Sequence, residues 1–136
     1  MLTYGDGVCN VDLTALLKFH EEHGKIATIT TVSLAQMKGV LDIGADHVVR
    51  SFREKKEADA SLINGGFMVL NPEIFDYLEG DSTVFEQDPL QKLAAQGQLM
   101  GYHHDGFWQC MDTQREMKKL EDLWQSGNAP WKIWKN

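Results

Sequence analysis

Two aspartates carry the clearest chemical possibility in this chain. Asp6 lies in Tyr4-Gly5-Asp6-Gly7, at the end of a short strand-like run, and Asp112 lies in Met111-Asp112-Thr113 between a strand pattern and a helix pattern. Open α/β sheets place function where a strand gives way to a turn, and glycines there let a ligand approach the backbone. Two carboxylates meeting at one point suit a hard divalent ion such as Mg²⁺, which takes oxygen ligands and keeps several waters. Its work is to clamp phosphate oxygens and neutralise charge as a phosphoryl or nucleotidyl group moves. The same residues also serve as a plain turn acid and a helix-start acid, and spacing alone does not make them meet.

Two further stretches have the right chemistry. Arg53-Glu54-Lys55-Lys56-Glu57 follows a strand pattern. A lysine there can hold a phosphate as a point charge, and Glu54 can accept sugar hydroxyls, although charge runs are usually solvated loops. In Asn64-Gly65-Gly66-Phe67, paired glycines mean that backbone or ligand comes too close for a Cβ, while Asn64 offers both a donor and an acceptor. A bulge or tight turn explains the glycines equally well. The histidines are less promising. His20 and His23 are three apart rather than the four of a zinc-protease helix, and His103-His104 has no cysteine beside it, so structural or solvated roles are expected. Cys9, near Asp6, reads as an inert small residue rather than a reactive thiol.

These residues need a sheet to hold them. Asp12 caps a helix from Leu13 to about His23, with Leu13, Leu16 and Leu17 as its apolar face and Gly24 as its stop. Lys25–Val32, Val40–Ile43, His47–Phe52 and Gly65–Leu70 read as strands, the middle two joined by Gly44-Ala45-Asp46. Asn71-Pro72-Glu73 starts a helix reaching Gly80, and Asp88-Pro89 starts another ending at Gly97. Leu99–His103 and Phe107–Met111 are strands, and Thr113-Gln114-Arg115-Glu116 is a capping box opening a last helix. The mixture predicts an α/β fold with a mixed sheet flanked by helices.

Composition narrows the partners. The 136 residues fit one domain, and a hydrophobic share of 43% supplies a core. A formal charge of −7 disfavours nucleic acid, though small phosphorylated ligands need only a few placed cations and a metal. There is no Cys-x-x-Cys spacing, no signal peptide, and no apolar run near the ~20 residues a membrane helix needs. The expectation is a cytoplasmic protein with reduced thiols and no membrane partner. A chain opening on such a site also reads as the second part of a longer protein.

Taken in order, these pieces resemble the C-terminal half of the glucose-1-phosphate cytidylyltransferases, a family of sugar nucleotidyltransferases. The likeness runs from Leu2 to Trp134. Thr3-Tyr4-Gly5-Asp6-Gly7-Val8 resembles the family's metal-binding turn, Ser51-Phe52-Arg53-Glu54-Lys55 its sugar-phosphate loop, and Ile63-Asn64-Gly65-Gly66-Phe67 its sugar-contacting strand. Glu86-Gln87-Asp88-Pro89-Leu90 is similar to the segment that follows. Gly106-Phe107-Trp108-Gln109 with Met111-Asp112-Thr113 resembles the second metal-ligand segment, and Gly127-Asn128-Ala129-Pro130-Trp131-Lys132 the family's tail.

The resemblance implies the C-terminal part of a Rossmann-like nucleotidyltransferase domain, a single partial domain over 1–136. It implies Asp6 and Asp112 as Mg²⁺ ligands, Gly5 and Gly65 against the substrate, Lys55 on the sugar phosphate, and Glu54 and Asn64 on glucose hydroxyls. The reaction it implies joins CTP and α-D-glucose 1-phosphate into CDP-glucose and pyrophosphate, toward dideoxyhexoses of bacterial surface polysaccharide such as O-antigen lipopolysaccharide. The chain departs from the family pattern in lacking the N-terminal glycine-rich loop with its Thr-Arg and the downstream Lys-Pro. Lys56 stands where the family has proline, and Ala35-Gln36-Met37-Lys38-Gly39 replaces a Gly-Arg-Phe-Gly stretch. Homo-oligomerisation or a missing N-terminal half is therefore expected. The alternatives are a non-catalytic binding or oligomerisation module and a transferase using another base.

Overall fold

Helix α1 spans Leu13–His23, the span its capping signals predict. The Asp12 carboxylate accepts from the backbone N–H of Thr14 at 2.9 Å and of Ala15 at 3.0 Å. At the other end Gly24 turns left-handed at φ 62° and donates back to the His20 carbonyl. These contacts belong to a computed structural model, which describes residues 1–34, 40–43, 49–53 and 61–135.

The chain divides into two compact units, Met1–Val32 with Asn64–Asn136, and Ser33–Ile63. In the first, β2 (Ala27–Leu34) is the centre of a three-stranded sheet between β5 (Ser61–Leu70) and β6 (Leu99–His104). β2 and β6 run parallel, with Ala27 opposite Leu99 and Val32 opposite His104. Leu2 adds an antiparallel bridge to Met68 through hydrogen bonds of 2.9 and 2.7 Å. Parallel and antiparallel pairing therefore coexist, as expected of a mixed sheet. A separate antiparallel pair joins β1 (Gly7–Cys9) to β7 (Trp108–Cys110). In the second unit, β3 (Val40–Ile43) pairs antiparallel with β4 (Val49–Arg53), as the turn signal between them predicts.

The core gathers Ala27, Ile74, Leu90 and Leu93, all buried. On α1, only Leu16 of the predicted apolar face is fully enclosed, while Leu13 and Leu17 stay partly in water at 47% and 39% exposure. Helix α2 (Asp88–Ala95) and helix α3 (Gln114–Gln125) form where expected, and α3 carries its full capping box. Two expectations change. Among the described residues the opening run bridges to the sheet backbone at Leu2, and the strand begins after Asp6 rather than ending at it. Past Asn71 the chain makes a short 3-10 turn over Pro72–Tyr77 instead of an α-helix to Gly80.

The reason for the second lies in Asn71, whose side chain makes no helix-capping bond. Its amide nitrogen donates to the Lys25 carbonyl at 3.1 Å, and its Oδ1 accepts from His20 Nε2 at 3.0 Å. This is one link in a closed ring. The Lys25 N–H donates to His23 Nδ1 at 2.9 Å, which makes His23 Nε2 the protonated nitrogen facing Thr28 Oγ1 at 2.6 Å. The Thr28 hydroxyl then donates to His20 Nδ1 at 2.8 Å, leaving His20 Nε2–H for Asn71. The Lys25 N–H needs an unprotonated Nδ1, so the ring holds His23 as a neutral imidazole. The ring ties α1, β2 and the turn after β5 together around a fully buried threonine. His20 is thus structural as expected, but it is buried rather than solvated.

Candidate active site

The backbone brings the two candidate aspartates to one place. Beyond Gly7, which faces Cys110 in the β1–β7 ladder, the Met111 N–H donates to the Asp6 carbonyl at 2.8 Å. Asp112 is the next residue, so the Asp6 turn and the Asp112 turn leave the same end of a two-stranded ladder. Both aspartates are exposed. Asp6 and Gly5 border an open cleft of about 610 Å³, completed by Tyr4 and Glu86.

Asp112 is not the helix cap that its position allows. Thr113 caps α3 by accepting from the Glu116 N–H at 3.2 Å, and one Glu116 oxygen accepts from the N–H groups of Asp112 and Thr113 at 3.0 Å each. Glu116 is thereby committed to the helix start, and the Asp112 carboxylate is left for other work. It accepts a hydrogen bond from the Cys110 thiol at 3.2 Å. Burial, and then the Asp112 carboxylate, push that thiol up to about 11, so it stays protonated. The potential ligand atoms of Cys110, Asp112 and Glu116 lie within 4.8 Å of one another. With Glu116 bound to the helix start, Asp112 is the carboxylate left available in that group. Carboxylate oxygens of this kind can hold a hard divalent ion. Cys9, half-buried with its thiol raised by burial, is not disulfide-linked.

Asn64 sits close to this centre, in an arrangement that local sequence could not show. The Gly66 N–H donates to Asn64 Oδ1 at 3.0 Å, which assigns Nδ2 as the atom donating to the Tyr4 hydroxyl at 3.1 Å. Tyr4 in turn donates to Glu86 Oε1 at 2.7 Å. Burial first, and then the Glu86 carboxylate, push the phenol up to about 12, so Tyr4 remains a donor. Tyr4 and Glu86 are functional candidates that sequence reasoning missed, because 82 residues separate them and Glu86 looks like an acid near a helix start.

The two glycines after Asn64 answer to protein, each differently. A Cβ on Gly65 would stand 3.0 Å from the Val32 side chain and 3.3 Å from Trp108 Nε1. That indole donates to the Gly65 carbonyl at 2.8 Å. Gly66 adopts φ 75°, and a Cβ there would meet the Tyr4 ring at 3.0 Å. Phe67, at φ 44°, continues the left-handed kink. Gly66→Ala is therefore expected to cost about 1–3 kcal/mol through backbone strain and to displace Tyr4. Urea denaturation would measure the cost, and loss of the Tyr4 hydroxyl proton's slow exchange by NMR would report the displacement. Glu54 and Lys55, the expected sugar-phosphate pair, and 35–39 lie outside the described residues.

The sequence pattern of the nucleotidyl transferase family matches residues 1–125, and the chain belongs to that family. Within it, the chain is 52% identical over 134 residues to the glucose-1-phosphate cytidylyltransferases of Salmonella typhimurium and Salmonella typhi, covering 98% of this chain and 52% of each relative. The chain thus spans about half the length of the curated relatives it matches. The crystal structure of HddC from Yersinia pseudotuberculosis shares the fold, with a TM-score of 0.61 over 88% of this chain and 52% of that one at 23% identity. Enzymes of the family generally use a divalent metal. Among the described residues, no helix is long and apolar enough to cross a membrane.

Proposed function

We propose that this chain supplies the sugar-phosphate half of a glucose-1-phosphate cytidylyltransferase, which joins CTP and α-D-glucose 1-phosphate into CDP-glucose and pyrophosphate. The observation that carries the reading is the Met111–Asp6 hydrogen bond closing the β1–β7 ladder, which places the Asp6 and Asp112 turns side by side. The 52% identity to named cytidylyltransferases supports the choice of base and sugar.

In this reading Asp6 and Asp112 hold Mg²⁺, which neutralises charge on the reacting phosphates when bound. Lys55 grips the phosphate of glucose 1-phosphate, and Glu54 accepts sugar hydroxyls. Asn64 retains one amide hydrogen and one carbonyl lone pair, after its bonds to Tyr4 and Gly66, for a further hydroxyl. Gly5 lets the substrate lie against the cleft backbone, and Gly65 shapes the strand beneath it. A phosphate oxygen of the sugar attacks the α-phosphorus of CTP in line, and the bond to pyrophosphate breaks. No covalent enzyme intermediate is needed, so the residues act by positioning and charge neutralisation. The family pattern carries the triphosphate cradle in its N-terminal half, and the reaction belongs to the cytoplasm.

The test is pyrophosphate release from CTP, glucose 1-phosphate and Mg²⁺ by the purified chain. It is run alone and with the remaining half of the Salmonella typhimurium relative co-expressed. Product in either arm, and less with other nucleoside triphosphates, is expected. Silence in both arms overturns the catalytic reading.

A further inference from the structure

Glu86 has no role in any of this, yet it forms one wall of the cleft at Asp6. It is exposed, but its carboxylate is not loose. A relay runs from the Gly66 N–H through Asn64 and the Tyr4 hydroxyl to Glu86 Oε1, with links of 3.0, 3.1 and 2.7 Å. Each donor in that relay is assigned by the one before it, so the carboxylate is held from behind in one orientation. A carboxylate has room for about four hydrogen bonds and this one uses a single site, leaving Oε2 without a partner among the described residues. Holding an acceptor rigid over a cleft lowers the entropy lost when a ligand donates to it.

The lining also says what kind of ligand. Among the described residues that line it, Tyr4, Gly5, Asp6 and Glu86, there are two carboxylates and no cation. Such walls repel a bare phosphate and receive donors. Among the described residues, a Cβ on Gly5 would touch nothing within 4 Å, so the backbone there lies open to a ring-shaped ligand. A neutral polyol fits these walls, with hydroxyl hydrogens pointing at the acid.

We propose that Glu86 is a sugar-specificity residue, its relay-held carboxylate accepting a hydroxyl hydrogen from a hexose ring in the Gly5–Asp6 cleft, with Asn64 and Tyr4 as the residues that position it. The inference rests on the sugar-phosphate reading above and names the part of the site that reads the ring rather than the phosphate.

Calorimetric titration with glucose 1-phosphate and its 2-, 3-, 4- and 6-deoxy analogues tests this on the full chain and on Glu86→Gln and Tyr4→Phe. For glucose 1-phosphate, Glu86→Gln is expected to raise Kd by about 10- to 100-fold, the range for a hydrogen bond to a charged group. Tyr4→Phe, which frees the carboxylate without removing it, is expected to raise Kd several-fold. The parent should also bind one deoxy analogue poorly, and Glu86→Gln should not discriminate against that analogue any further. A merely structural role would instead weaken all analogues equally, and that result overturns the inference. So does a parent that binds glucose 1-phosphate no better than Glu86→Gln does, which leaves the sugar-phosphate reading standing. A parent that binds none of the five compounds sinks both. Since Glu86 is exposed, unchanged thermal melts are expected for Glu86→Gln. If it fails to melt cooperatively, Tyr4→Phe with the same analogue series decides.

Discussion

Asp6→Asn and Asp112→Asn are each expected to lower pyrophosphate release by about a thousandfold or more, the scale of losing metal charge stabilisation worth several kcal/mol. Neither change should unfold the protein. It is the Asp6 backbone carbonyl, not its side chain, that closes the ladder to Met111. Helix α3 is capped by Thr113 and Glu116, so the Asp112 carboxylate carries no helix start. Its Cys110 contact is the one bond lost among the described residues, and a thiol is a weak donor. The measurement is therefore paired: transfer by the chain with its complementing half, and thermal melting of the chain alone. Chelation with EDTA should silence the parent and be reversed by excess Mg²⁺. A variant that keeps near-parent activity would refute the metal assignment, whereas lost activity with lost melting would point to folding instead.

The second large effect concerns Thr28, remote from the chemistry. Thr28→Val keeps the shape of the side chain and removes the hydroxyl at the centre of the histidine ring. It leaves His23 Nε2–H without an acceptor and His20 Nδ1 without a donor, both in or beside a fully buried position. At about 1–3 kcal/mol for each of the two stranded polar groups, the loss should be on the order of 2–6 kcal/mol. For a domain of this size that is a Tm lower by roughly 10 °C.

The ring also makes stability depend on pH. Burial, followed by the neighbouring His20 and Lys25, holds the His23 imidazole below its usual value. The unfolded chain binds that proton near pH ~6.5, while the folded one binds it only at lower pH. Between those values the unfolded state carries more protons, so stability rises with pH. The contribution is complete above about 6.5 and vanishes as pH falls through the folded value. Protonated His23 would also set an Nδ1–H against the Lys25 N–H that now donates to it. Urea unfolding at pH 7.5 and 5.5 should show the parent losing more stability on acidification than Thr28→Val, whose ring is already open. A parent equally stable at both values would refute the neutral ring.

Helix ends and local turns were legible in the sequence because their partners lie within a few residues. Asp12 reaches Thr14 and Ala15, and Thr113 reaches Glu116, so residue type and short spacing suffice to place them. Asn71 has the same local signature and behaves otherwise. Its amide is drawn to Lys25 and His20, partners brought by β2 and α1, and the helix expected after it shortens to a 3-10 turn. Gly65 and Gly66 read alike in the sequence. Only packing shows that the first makes room for Val32 and Trp108, and the second for a left-handed kink beneath Tyr4.

By itself, the sequence determined the α/β mixture, the caps of α1 and α3, the turn-borne acids Asp6 and Asp112, and the resemblance to the cytidylyltransferases. Each follows from residue type and local order. Tertiary structure alone decided that the Asp6 and Asp112 turns leave one ladder, and that Tyr4, Asn64 and Glu86 form one relay. The physical reason is the short range of a hydrogen bond. Whether a donor meets an acceptor 82 residues away depends on how strands pair and helices pack, which no local pattern encodes.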